Sequence, residues 1–223
     1  MRTALIISTV SLALLAGTAS ADYIILGTHT DYPVQAGRSL ADVRMSVDLS
    51  VSNGLATVTF TNVSAASETA VFEEIVVDGY DDDTGTAILW NAEVLTDTHD
   101  VRYSLSGHPN GLPGYQTETA DALIELQAKS SPVKYGIAPG EALQVRFNTS
   151  LADGSTLQSY LDAFGGGDDT GHYTIGFHAI NAAVVNGESL SGVALPEPGS
   201  AMLFLFGTAA ILRRRAVVGR IRR

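Results

Sequence analysis

The stretch Val47-Asp48-Leu49-Ser50-Val51-Ser52-Asn53-Gly54-Leu55-Ala56-Thr57-Val58-Thr59-Phe60-Thr61 carries the strongest structural signal in the chain. Apolar and polar residues alternate on both sides of an Asn-Gly pair. A type I′ turn needs φ > 0 at both central residues, and Asn-Gly meets that need best. A two-residue loop at Asn53-Gly54 pairs Val51 with Ala56, Leu49 with Val58 and Val47 with Phe60. Every apolar pair then falls on one face, with Asp48, Ser50, Thr57 and Thr59 on the other. Turn chemistry and hydrophobic period specify the same register.

Outward from this hairpin the period of two persists. Ala70 to Asp78 and Ala87 to Leu95 predict a second pair, connected through Gly79-Tyr80-Asp81-Asp82-Asp83-Thr84-Gly85. Val101/Tyr103/Leu105, Leu123 to Ala128, Leu143/Val145/Phe147 and Tyr173/Ile175/Phe177/Ala179 continue the pattern, with a turn at Pro139-Gly140. One helix interrupts it. Ser155 and Gln158 form a capping box, Leu157, Leu161 and Phe164 recur at helical spacing, and Gly165-Gly166-Gly167 stops the run. The expected fold is all-β, an antiparallel sandwich of seven to eight strands with one short helix.

Charge divides the chain of 223 residues sharply. Of 13 basic residues, Arg213, Arg214, Arg215, Arg220, Arg222 and Arg223 crowd the last eleven positions, and Arg2 lies at the start. The body between the ends keeps 6 basic against 23 acidic residues, a net of −17. Such a body argues against a nucleic-acid reader, which needs cations for phosphate. With no cysteine, disulfides, thiolate nucleophiles and Cys-based zinc sites are excluded as well.

Both ends have the composition of addresses. Arg2, the apolar run Leu5 to Leu15 and the small residues Ala19-Ser20-Ala21 predict a secretory signal over residues 1–21, cut after Ala21 by signal peptidase. Residues 22–194 then form the acidic ectodomain. Residues 195–223 hold Pro196-Glu197-Pro198, an uncharged apolar segment from Gly199 to Leu212, and the Arg213-Arg214-Arg215 cluster. Pro-Glu-Pro resists helix and strand and stays accessible. The arginines stay cytoplasmic by the positive-inside rule, which leaves the acidic body outside. The apolar segment has 14 residues, about 21 Å of helix against a ~30 Å hydrocarbon core, so it spans as a transmembrane helix only with snorkelling arginines or a thinned bilayer.

This three-part order resembles the PEP-CTERM sorting signal of exported Gram-negative bacterial proteins. The resemblance implies that an exosortase recognises Pro196, Glu197 and Pro198, and that Arg213, Arg214 and Arg215 are the cytoplasmic stop. It further implies a precursor anchored in the inner membrane, then release to the cell surface or the extracellular polysaccharide matrix. The chain continues past the arginine triplet with Ala216 to Arg223, a longer basic end than the family usually shows. A second resemblance covers the body. Val58-Thr59-Phe60-Thr61-Asn62, Ile75-Val76-Val77-Asp78-Gly79, Pro139-Gly140-Glu141, the Ser155 to Phe164 helix and Ile175-Gly176-Phe177-His178 look like a domain carried by PEP-CTERM proteins, which implies a β-sandwich without an assigned activity.

Candidate chemistry in the body is sparse. Asp78, Asp81, Asp82 and Asp83 cluster on one turn, either a solvated acidic turn or a site that suits a hard cation such as Ca²⁺, though without the EF-hand spacing; Asp168-Asp169 is a second acidic turn of the same two readings. The histidines are His29, His99, His108, His172 and His178. His172 and His178 share strand parity, but about 20 Å along a straight strand keeps them from one ion. Gly187-Glu188-Ser189-Leu190-Ser191-Gly192 is wrongly spaced for a nucleophile elbow. Trp90 is either a core residue or a sugar platform. Asn62-Val63-Ser64 and Asn148-Thr149-Ser150 match glycosylation sequons. The expectation is a non-enzymatic exported protein without a catalytic residue or an obligatory cofactor. Its alternatives are a Ca²⁺-dependent carbohydrate-binding module, in effect an adhesin, and a surface hydrolase built on paired carboxylates.

Overall fold

A computed structural model of the protein describes residues 23–81, 85–96, 100–106, 112, 123–163 and 174–194. Their strands are β1 (Tyr23–His29), β2 (Arg44–Ser52), β3 (Leu55–Asn62), β4 (Val71–Asp78), β5 (Tyr80–Asp81), β6 (Thr86–Ala87), β7 (Leu89–Val94), β8 (Tyr103–Leu105), β9 (Leu123–Ala128), β10 (Ala142–Thr149), β11 (Ile175–Ala182) and β12 (Glu188–Ala194). Two short helices accompany them, α1 (Pro132–Tyr135) and α2 (Leu157–Ala163).

The Asn53-Gly54 hairpin forms in the register its sequence predicts. Val51 faces Ala56, Leu49 faces Val58 and Val47 faces Phe60. Asn53 and Gly54 have φ of 55° and 70°, as a type I′ turn requires. The six apolar side chains are buried, while Ser50 is exposed and Asp48, Thr57 and Thr59 are half-buried. The boundaries of β9 match the predicted Leu123 to Ala128, and β10 buries Leu143, Val145 and Phe147.

Ten strands make one antiparallel sheet in the order β7-β10-β3-β2-β1-β12-β11-β4-β9-β8, and β5 and β6 form a small separate pair. β1 joins the two halves of the large sheet. It pairs with β2 on one side, Ile25 facing Met45, and with β12 on the other, Gly27 facing Gly192. The sheet curls until its outer strands β7 and β8 approach each other. Met45, Phe60 and Phe147 from one half and Phe72, Ile75 and Phe177 from the other then share a single core.

The all-β antiparallel expectation holds, but the architecture is a ten-stranded near-barrel rather than a sandwich of seven or eight strands. The sequence reading missed β1 and β12, which stitch the halves together. Glycine lies inside each of them, and it weakens both strand propensity and alternation. At Gly192 two chain segments approach closely: a Cβ there would sit 2.5 Å from the Leu26 carbonyl oxygen and 2.5 Å from the Phe177 ring.

The predicted pairing of residues 70–78 with 87–95 is also corrected. β4 pairs with β11 and β9, and β7 pairs with β10. The intervening chain crosses from one half of the sheet to the other. The Gly79 carbonyl accepts from the Ile88 and Leu89 amides at 2.8 and 3.1 Å, and β5 and β6 fold out as a flap. The helix starts one residue later than its predicted capping box. Thr156 and Ser159 cap reciprocally, the Thr156 amide donating to Ser159 Oγ at 3.3 Å and the Ser159 amide to Thr156 Oγ1 at 3.4 Å. Leu157 and Leu161 are buried as predicted, and Tyr160 between them is buried completely. Phe164 and the glycine run lie outside the described residues.

Candidate functional site

The Asp78–Asp83 turn begins in a backbone junction. The Asp78 amide donates to the Thr174 carbonyl at 2.9 Å, and the Tyr160 hydroxyl donates to the carbonyls of Asp78 at 2.6 Å and Thr174 at 3.2 Å. The Asp78 carboxylate is buried, and its Oδ1 accepts from the Tyr80 amide at 3.0 Å, an Asx turn that starts the flap. Asp81 pairs through its backbone with Thr86. Asp82 and Asp83 lie outside the described residues. One of the four proposed calcium ligands is therefore already engaged in closing the turn. Tyr160, missed in the sequence, ties α2 to the ends of β4 and β11. Burial, aided by the negative charge of Asp78, pushes its hydroxyl pKa well up, so it stays a neutral donor.

A second group of carboxylates was not foreseen. Along β4, Ile75 and Val77 face the core, and Glu74, Val76 and Asp78 face outward. The pairing with β11 shifts between His178, which faces Glu74, and Ala179, which faces Phe72. Glu73 is the extra residue of this bulge, so two successive glutamates reach the outer side. His178 Nδ1 lies 2.9 Å from Glu73 Oε1. On β9, Glu125 faces Val76 and is buried at 4% exposure. Glu74 is pushed up to about 7, first by burial, then by the Glu125 and Glu73 charges, with His178 opposing. This face can hold a proton near neutral pH. Among the described residues, no group of three or more His, Cys, Asp or Glu could hold a metal ion.

The remaining candidates take structural places. His29 Nε2 lies 3.7 Å from Asp31 Oδ1 at the end of β1; His99, His108 and His172, like Asp168-Asp169, lie outside the described residues. Trp90 is half-buried on the outer strand β7, opposite Asn148. The sequon residue Asn62 is fully buried. Its side-chain amide donates to the Ala70 and Ile137 carbonyls at 2.8 and 2.9 Å, and its carbonyl accepts from the Ser64 amide at 3.1 Å. The native fold therefore has no room for a glycan on it. Residues 187–192 belong to the turn before β12 and to β12 itself.

The processing residues Ala19, Ala21, Pro196, Glu197, Pro198, Arg213, Arg214 and Arg215 all lie outside the described residues. The structure does define where their segments join the fold. β1 begins at Tyr23 and β12 ends at Ala194, and the two are antiparallel neighbours, so both connections leave the same end of the sheet. Among the described residues no helix is long and apolar enough to cross a membrane. No protein-family model, curated protein or solved structure matches the chain.

Proposed function

We propose that this chain is an exported surface or matrix protein, made with a signal peptide over residues 1–21 and sorted through residues 195–223. The observation that carries the proposal is the order of Pro196-Glu197-Pro198, the uncharged segment Gly199 to Leu212, and Arg213-Arg214-Arg215. The exit of both connections at one end of the sheet is consistent with it, because both membrane-directed segments then leave the domain toward the same bilayer. In this reading signal peptidase and an exosortase-type enzyme are the processing partners. The ectodomain is a structural or binding module among extracellular polysaccharides rather than a catalyst. Its net charge of −17 keeps it soluble and repels anionic polymers unless divalent cations bridge them.

Deleting Pro196-Glu197-Pro198 is expected to leave a longer, membrane-bound form in fractionated cells of a host that processes the intact chain. Unchanged size and location of the deletion variant would overturn the sorting role.

A further inference from the structure

The tether that holds the precursor is short compared with the strand beside it. Four residues, 195–198, separate Ala194 from the apolar segment, a reach of at most about 14 Å at ~3.3–3.6 Å per residue. Continuing the Gly27–Gly192 register by two residues sets Ile25 beside Ala194, and Ile25 faces Met45 on β2. From Met45, β2 runs on to the turn at Asn53, eight residues or about 26 Å at ~3.3 Å each. A twist of ~20–25° per strand over the two intervening steps still leaves roughly 18 Å of projection. An upright domain would push the exposed polar turn Ser52-Asn53-Gly54 below the membrane surface, where backbone and amide groups lose their water. The domain must therefore tilt to one side.

The two outer faces differ in what they could rest on. Beside the exit, β1 turns Ile24 and Leu26 outward, 43% and 41% exposed, with Arg44 exposed opposite Leu26. The outward residues of β2 and β3 continue this face with Ser50, Thr57 and Thr59, and Asp48 is its one carboxylate. The opposite half of the sheet offers no such bare strand face around β4, where Val76 packs with Leu112 and Val193 on the outer side and Glu125 is 4% exposed. We propose that the outward face of β1–β3, centred on Ile24, Leu26 and Arg44, rests on the lipid surface while the precursor is held in the membrane. This placement rests on the anchoring part of the function proposed above.

The absence of cysteine makes the test direct. Full-length Leu26→Cys and Thr57→Cys variants, and Gln127→Cys on the outward side of β9, each carry one environment-sensitive fluorophore. They are reconstituted into phosphatidylethanolamine–phosphatidylglycerol vesicles with nitroxide-headgroup lipid. The vesicles are floated first, and quenching is then read in the floated fraction. The proposal expects severalfold stronger quenching at residues 26 and 57 than at residue 127. Floating protein with equal or reversed quenching overturns the contact face and leaves the anchoring intact. Protein that does not float overturns both.

Discussion

The strands of the β2–β3 hairpin, of nine and eight residues, match the eight of β4 in length, yet hairpin and β4 specify their places in opposite ways. Each hairpin strand buries one side and finds its partner across two residues. β4 buries Ile75, Val76, Val77 and Asp78 in succession, so both its faces are covered, and it finds its partners far along the chain, with Ile75 facing Phe177 and Leu126. A strand covered on one face announces its register locally. One covered on both is placed by what packs on it, and there a carboxylate becomes costly enough to change its proton affinity.

Phe177 is where this contrast is expected to show its largest effect. Its ring is fully buried with its centroid 4.4 Å from that of Phe72, and the bare Cα of Gly192 makes room for it. Phe177→Ala removes the contact that holds β11, β4 and β12 together. The expected loss is about 3–5 kcal/mol by urea unfolding. A loss under about 1 kcal/mol, the size of an ordinary substitution, would mean that β4 is held by its hydrogen bonds rather than by this packing.

Glu74 gives the next largest effect, and it depends on pH. Its folded carboxyl keeps a proton up to about 7, while its ordinary value is 4.5. Between those values the unfolded state binds fewer protons than the folded one, so stability falls as pH rises from 4.5 to 7. Above that window the full penalty is present, and below it there is none. Glu74→Gln keeps the shape and removes the charge. It is expected to leave stability nearly unchanged at about pH 4 and to raise it by on the order of 1–2 kcal/mol at about pH 8, after discounting for the part of the side chain still in water. Glu73, Glu125 and His178 face the same group. Equal shifts of the variant at both pH values, followed by thermal melts, would show that burial of this carboxyl carries no penalty.

The same contrast explains what was legible in the sequence. Leu123 to Ala128 and Leu143/Val145/Phe147 alternate and were placed correctly, and the hairpin carried its register in Asn53-Gly54. The partners of β4 left no local trace, and the wrong pairing with residues 87–95 followed from assuming that consecutive strands are neighbours. The Glu73–His178 contact was hidden because its residues come from separate strands. One signal was present, the adjacent Glu73-Glu74 inside Val71-Phe72-Glu73-Glu74-Ile75-Val76-Val77, where a break in alternation marks a bulge. Tyr160 could have been found as the apolar neighbour of Leu157 and Leu161 on the same helical face.

Gly54 provides the smallest and cleanest test of the hairpin side of the comparison. Its φ is 70°, and an added Cβ would meet nothing within 4 Å, so Gly54→Ala adds backbone strain without a clash. The left-handed conformation costs an L-residue roughly 1–2 kcal/mol, partly offset by the lower entropy of the unfolded chain, for a net loss of about 1 kcal/mol. The hydrogen bonds that the turn makes to the end of β10 and the loop after it, from the Thr149 amide to the Gly54 carbonyl at 3.1 Å and from the Gly54 amide to Asp153 Oδ1 at 3.4 Å, survive the substitution. If the loss instead matched that of Phe177→Ala, the turn would be placed by those distant contacts, and the hairpin would be no more local than β4.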